Sequence, residues 1–447
     1  MSADTTRLPH WSEALVTLTE PLPGSDVLHC SVASIDAHPC VVVRWDFGRN
    51  GGTFGVAEAD AFVGAVSVAQ QRGVPLVTIT RTGGTRLPEG MRALVGIPRA
   101  ALALTDLRAA GVPHVCIADN PTTGGVWVAI GAGADVRIAV AGAVLGFSGP
   151  RVVTAMTGRA LAEGANTAES AYAAGLVDAV ATHDEVGDLL SRALAAFAPD
   201  DPQPVAPPSS PAPLTRGAAA QLTVSREAER PSGDDLLAAV LTDRVELHGS
   251  DEVTHAAVGR LAGRRVVAVA LAGPRAGMPG PGGFALLSRA AALAGALDIA
   301  LVVFVDTPGA DPHREADGLV PAMAQSLLDV LATPAPTVSL VHGEGGSGGA
   351  LAGAVTDVVG VAEFGWFAAL GPEGAAAAMR TSADEAAELM RITPGDLLAD
   401  GFADALVARG DEVAWCAAAI DAIRRIPPEQ RMTNRRKRWS SAIPREV

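Results

Sequence analysis

The chain has a single lysine, Lys437, among 447 residues. A Schiff-base or general-base lysine in the body of the protein is therefore excluded. Cysteine is nearly as scarce. Cys30, Cys40, Cys116 and Cys416 form no C-x-x-C pair and no zinc-knuckle spacing, so buried free thiols in a reducing compartment are expected and a metal is not. Aromatic residues make up 4% of the chain, which leaves Ala, Val and Leu to fill its cores. A formal net charge of −15 disfavours nucleic acid and anionic membrane surfaces as partners. No apolar run reaches the roughly 18 residues of a membrane span, and the opening MSADTTRLPH places Asp before any apolar stretch. A soluble, cytoplasmic protein is the expectation. H-E-x-x-H, G-x-x-x-x-G-K-[ST] and a complete dinucleotide fingerprint are also missing.

Glycine, by contrast, is abundant at 49 residues, and it is patterned. PTTGGVWVAIGAGAD (121–135) and GEGGSGGALAGAVTD (343–357) each place a glycine pair at the head of an Ala-rich stretch that ends in Asp. Gly124-Gly125 answers Gly348-Gly349 at an offset of 224, while Asp135 answers Asp357 and Pro150 answers Pro372 at an offset of 222. Upstream, VPHVCIADN resembles APTVSLVHG, and LVTITRTGG resembles LVVFVDTPG. The same parts follow in the same order, as in a tandem of one fold. Short β-branched runs such as HPCVVVRWDF and PLVTITR alternate with helical stretches such as AEADAFVGAVSVAQQRG and PGGFALLSRAAALAGALD, which predicts an α/β class.

Between the halves, FAPDDPQPVAPPSSPAP collects Pro, Asp and Ser, a composition that predicts a linker without regular structure. The expected organisation is a first domain over 1–196, a linker over 197–234, a second domain over 235–424 and a basic tail over 425–447. Arg435, Arg436, Lys437 and Arg438 read as a solvated tail. His342 and His313 read as structural or surface histidines rather than catalytic ones.

Each glycine pair follows an apolar strand and opens a helix, so its N–H groups are among the unpaired donors of a helix N-terminus. Close backbone approach and fixed N–H dipoles suit an oxygen that becomes negative. Catalysis by backbone dipoles fits better than any side-chain triad.

DFGRNGGTFG, TGGTRLPEG, NPTTGGV and GFSGPRVV resemble the β subunit of bacterial acetyl-CoA carboxylase carboxyltransferase. In the second half ERPSGDDLL, DTPGADP, GEGGSGGAL and GPEG resemble its α subunit. The resemblance implies two crotonase-like domains of repeated ββα units and transfer of a carboxyl group from carboxybiotin to the α-carbon of an acyl-CoA. It implies an oxyanion on the thioester at Gly124 and Gly125, and one on the biotin ureido group at Gly348, Gly349 and Ala350. Thr82, Gly83, Gly84, Arg86 and Trp127 would line the acyl-CoA site, with Arg86 as a phosphate or pantetheine contact. Asp306, Pro308, Gly309, Gly345 and Gly346 would lie on the biotin side. Biotin rides on a lysine amide, and Lys437 lacks a carrier-like context, so the resemblance implies a separate biotin carboxyl carrier protein and a biotin carboxylase as partners, and a homodimer of this chain. The β subunit's four-cysteine zinc ribbon has no counterpart here, and DPHREADGLV after DTPGA and Gly371 before Pro-Glu-Gly depart from the family pattern. A biotin-independent malonyl-thioester decarboxylase of the same fold, or a non-catalytic carboxylase subunit, stay open as alternatives.

Overall fold

The computed structural model describes residues 16–209, 216–227, 230–271 and 277–441. The chain divides into two compact units, Met1–Ala198 and Pro199–Val447. The first is built on strands β1 (Thr17–Leu22), β2 (Leu28–Ile35), β3 (His38–Trp45), β4 (Leu76–Thr82), β5 (His114–Thr123), β6 (Val136–Val140), the short β7 (Leu145–Gly146) and β8 (Ala179–Ala181). The second carries β9 (Leu241–Leu247), β10 (His255–Leu261), β11 (Arg264–Ala270), β12 (Ala300–Thr307), β13 (Thr337–Gly345), β14 (Val358–Ala362) and β15 (Ala405–Val407).

The two sheets share one topology. β1-β2-β3 pair antiparallel, and β3-β4-β5-β6-β8 continue in parallel. β9-β10-β11 and then β11-β12-β13-β14-β15 repeat that order. Parallel strands are buried on both faces, which is why β12, ALVVFVDT, is buried along its whole length. In the first unit Trp45, Phe54 and Phe62, the last on the helix Val56–Arg72, form one cluster with centroids 6.2–6.3 Å apart. Ala, Val and Leu supply most of the remaining core. All four cysteines are free and buried. Among the described residues no helix is long and apolar enough to cross a membrane.

Two local expectations need correction. The stretch 197–234 is not an open linker throughout. Gln203 N–H donates to Ala262 O at 2.9 Å, and Arg265 N–H donates to the Asp200 carboxylate at 2.7 Å. A helix forms over Ala218–Ser225, where the buried Gln221 amide donates to the carbonyls of Glu363 and Gly365 at 2.9 Å. Among the described residues the proline-rich run 199–209 forms no helix or strand, because proline supplies no N–H to a ladder. The basic tail is a helix, Pro428–Ser440, whose Arg435 is 1% exposed. Its guanidinium meets the Asp357 carboxylate at 2.7 and 2.8 Å and donates to the carbonyls of Val330, Thr333 and Ala335 at 2.7–3.0 Å. Unpaired carbonyls at a helix end explain why a cation is buried there.

Candidate active site

In each unit two loops meet at the C-terminal edge of the parallel strands, the place where ligands bind in open α/β sheets. The strand register shows which residues correspond. Thr82 pairs with Thr122 across β4 and β5, as Thr307 pairs with Gly345 across β12 and β13. Gly84 N–H donates to Thr82 Oγ1 at 2.9 Å, and Gly309 N–H donates to Thr307 Oγ1 at 3.2 Å. Both glycines take a positive φ, +102° and +139°. One loop after the other, Thr82-Gly83-Gly84 corresponds to Thr307-Pro308-Gly309.

The glycine pairs align differently from the sequence offset. Gly124 N–H donates to Gly146 O at 3.0 Å, and it is Ser347 N–H that makes the matching bond, to Ala368 O at 2.9 Å. Gly124 and Ser347 also share the left-handed region, at φ +75° and +59°. Gly124 thus corresponds to Ser347, and Gly125 to Gly348, an offset of 223 from their positions. The sequence offset slipped by one because two adjacent glycines cannot be told apart without a register. The Ala-rich stretches end alike: Asp135 accepts the His114 N–H and Asp357 the Thr337 N–H, each at 2.9 Å.

This geometry selects the available donors. The N–H groups of Gly125, Gly348 and Gly349 have no backbone acceptor among the described residues. Gly124 is already bonded, and Ala350 N–H is spent on Gly346 O at 3.2 Å in the first helical turn, so neither donates to an oxyanion. Two further donors, missed in the sequence, face the glycine loops: the N–H of Thr85 and of its counterpart Ala310, also without backbone acceptors among the described residues. A Cβ on Gly124 would lie 2.9 Å from Gly84 Cα and 3.8 Å from Thr85 N, and one on Gly349 would lie 2.4 Å from Ala310 N. The repeat of TGGT in TPGA was the signal for them.

Several expected ligand contacts serve as scaffolding instead. Thr82 is fully buried; its hydroxyl fixes Gly84, and Thr123 Oγ1 donates to its carbonyl at 3.2 Å. Gly83 N–H is bonded to Gly51 O at 2.9 Å. Arg86 is not a free cation for a phosphate, because its guanidinium is held by Glu58 at 3.0 Å, Glu89 at 3.3 Å and Thr53 O at 2.7 Å. Trp127 is 7% exposed and opens a five-residue π-helix, Trp127–Gly131. Its indole covers Gly131, where a Cβ would lie 2.5 Å from the ring, so it packs inward rather than against an acyl group.

On the other side, Asp306 is wholly buried and sits beneath the glycine loop, not in it. Arg230 grips it through two hydrogen bonds, 2.8 and 3.0 Å, and it accepts the Glu344 N–H at 3.0 Å. Burial pushes its carboxyl upward in pKa, against the opposing pull of Arg230. Glu344, 3% exposed, binds Arg226 at 2.8 Å, which reaches on to Glu373 at 2.6 Å. Gly346 N–H donates to Thr307 O at 3.0 Å, and a Cβ there would strike Pro308 O at 1.9 Å. Gly345 lies against Phe367, 2.4 Å from where its Cβ would be. His342 is buried, with Nε2 3.1 Å from Pro231 O, and burial lowers its pKa to about 4, as befits a structural imidazole. His313 lies on the exposed 3-10 turn Pro312–Asp317. Among the described residues no group of three His, Cys, Asp or Glu side chains could hold a metal ion.

A family model described as acetyl co-enzyme A carboxylase carboxyltransferase-like matches residues 214–424. The acetyl-coenzyme A carboxylase carboxyl transferase subunits beta/alpha of Salinispora arenicola are 36% identical over 428 residues, covering 88% of this chain and 76% of that one. A probable biotin-dependent acyl-coenzyme A carboxylase beta3 subunit of Mycobacterium bovis is 33% identical over 431 residues, covering 91% and 87%. In fold the chain is similar to the transcarboxylase 12S subunit, a hexamer solved with hydrolysed methylmalonyl-coenzyme A. The TM-score is 0.76 at 22% identity, covering 89% of this chain and 81% of that one. Two tandem crotonase-type α/β units, each with its own backbone cradle, and relatives matched over most of their length lead to one conclusion: the chain belongs to the acetyl-CoA carboxylase carboxyltransferase family of enzymes.

Proposed function

We propose that the chain moves a carboxyl group from carboxybiotin, carried on a separate protein, to the α-carbon of an acyl-CoA of the acetyl-CoA type. The observation that supports this most is the pair of equivalent cradles. The first presents Thr85 N–H and Gly125 N–H, the second Ala310 N–H, Gly348 N–H and Gly349 N–H. A reaction that builds negative charge on two carbonyl oxygens needs two such sites, and each donor contributes on the order of 3 kcal/mol to lowering the barrier.

In the first unit, loss of the α-proton, which the ureido group freed of its carboxyl would accept, moves charge onto the thioester oxygen, and the Thr85 and Gly125 dipoles stabilise it there. Carboxybiotin, when bound, supplies the carboxyl group and a ureido oxygen that gains charge as the group leaves. The second cradle suits that oxygen: it offers convergent donors, and the nearest atom to an added Cβ at Gly348 is the Met323 methyl at 3.8 Å, which leaves the approach open. Division of labour between the units, acyl-CoA on 1–196 and biotin on 235–424, is part of the proposal.

A biotin carboxyl carrier protein and a biotin carboxylase are the partners proposed, with a homodimer as the assembly. Exposed apolar side chains near the cradles support an association surface: Leu87, Met91 and Leu94 in the first unit, Val320 and Leu328 in the second. The test is conversion of malonyl-CoA to acetyl-CoA by the purified chain, with and without free biotin, followed by mass spectrometry. Biotin-dependent conversion with carboxybiotin formed is the expected result. Conversion indifferent to biotin would make the chain a decarboxylase, and none with any malonyl-type thioester would make it a non-catalytic subunit.

A further inference from the structure

We infer that Arg86, locked by the buried carboxylate of Glu58, is a positioning residue that aims the Thr85 N–H at the thioester oxygen. This rests on the proposed function and deepens it for the first unit.

Phe54 and Thr85 form a parallel bridge. Phe54 N–H donates to Gly84 O at 2.8 Å, and Arg86 N–H donates to Phe54 O at 2.9 Å. In such a ladder the residue between the two bonded neighbours turns its own N–H the other way. Thr85 N–H therefore faces Gly124, a Cβ on which would lie 3.8 Å from it. The loop that carries it begins at Gly84, φ +102°, a position with little intrinsic stiffness. Beyond these backbone bonds, its far end is held by the Arg86 side chain.

The guanidinium spans three anchors. It donates to Thr53 O at 2.7 Å and Thr53 Oγ1 at 3.2 Å, and lies 3.0 Å from Glu58 and 3.3 Å from Glu89. Glu58 cannot drift, because its side chain is 1% exposed and also accepts the Gly55 N–H at 3.0 Å and the Ser25 hydroxyl at 2.9 Å. Glu89 in turn accepts the Val56 N–H at 2.7 Å. A carboxylate buried this far needs its cation, so the pair resists opening. Loop 82–86 is thereby clamped to the N-terminus of the helix Val56–Arg72.

The second unit has the same frame with a different, exposed cation beside it. Asp311 occupies the place of Arg86, its N–H donating to Pro279 O at 3.0 Å, and Asp251 takes the part of Glu58 by accepting Gly280 N–H at 2.7 Å. The cation beside them is Arg314, exposed and paired with Asp317: a Cβ on Gly280 would lie 3.1 Å from Asp251 Oδ2 and 3.6 Å from Arg314 Nη1. The buried, three-anchored form of the device belongs to the cradle that would serve the thioester.

The experiment compares Arg86→Lys, Arg86→Met, Glu58→Gln and the double variant E58Q/R86M on an acyl-CoA and on the matching acyl-pantetheine, which lacks the phosphates. Displacing one donor without removing it predicts a fall in kcat of roughly 10–100-fold for Arg86→Met. KM should stay nearly constant, the fall should be the same with both thioesters, and the double variant should lose little more than R86M alone. A second readout is equilibrium binding of a nitronate analogue of the thioester enolate relative to the neutral thioester, a ratio that should drop by the same factor.

A rise in KM confined to the CoA substrate would overturn the inference and make Arg86 a phosphate contact. An unchanged kcat and an unchanged binding ratio in folded R86M would reduce the network to scaffolding. If R86M does not fold, Arg86→Lys carries the test, since it keeps the charge beside Glu58 but cannot span Thr53 and Glu89 together. If the wild-type chain turns over no thioester, the proposed reaction fails, while the analogue ratio still decides the role of Arg86.

Discussion

Replacing Arg230 by Met should destabilise the second unit by about 3–5 kcal/mol, the usual cost of leaving one member of a buried ion pair alone. The magnitude follows from the surroundings. Arg230 and Asp306 have side chains 2% and 0% exposed, and without the guanidinium Asp306 keeps, among the described residues, only the Glu344 N–H at 3.0 Å. For a unit of this size each kcal/mol shifts the midpoint by about 2–4 °C, so calorimetry of the full chain should show its transition lowered by roughly 6–20 °C. The pH dependence has a definite sign. Burial already raises the Asp306 pKa, and loss of Arg230 removes the pull that opposed it. The variant's deficit should therefore be greatest where the carboxyl is ionised, and shrink as the pH falls and Asp306 takes up a proton. The double variant D306N/R230M should recover most of the loss, since no charge is then buried. A deficit in R230M below about 1 kcal/mol at pH 7, or one equal at pH 5 and pH 8, would refute the reasoning.

Gly343→Ala should disrupt the same pair from the backbone, because a Cβ there would lie 2.0 Å from Asp306 Oδ1 and 2.5 Å from Arg230 Nη1. A loss of several kcal/mol, about 3 or more, is expected in urea denaturation, and a neutral substitution would contradict the geometry. His114 and His342, their pKa values lowered by burial to about 3 and about 4, should stay neutral at pH 7 in NMR titration. Their folded values lie below the ordinary 6.5, so the stability they contribute is complete above pH 6.5 and is lost as the pH falls toward 4. The thiols of Cys30, Cys40 and Cys116, pushed up by burial to about 12, 12 and 11, should resist iodoacetamide at pH 8 in the native protein and react only once it is unfolded.

The amino-acid sequence by itself determined the class, the tandem order and the family. β-branched runs bury on both faces of a parallel sheet, and a glycine pair at a strand-to-helix junction is visible as composition. These are local properties, set by periodicity and by the absence of side chains, and they survive without coordinates.

Only the tertiary structure decided which N–H groups are free: Gly146 O, 22 positions away, removes Gly124, and the helical turn that closes on Gly346 O removes Ala350. It set the register that pairs Gly124 with Ser347, which strand neighbours fix and adjacent glycines do not. It turned Arg86 from a candidate phosphate contact into a clamp through Glu58, 28 positions away. It brought Arg230 out of an apparent linker onto Asp306, and Arg435 out of an apparent tail onto Asp357. A basic residue in a polar stretch looks solvated until the fold supplies the buried carboxylate that outbids water for it.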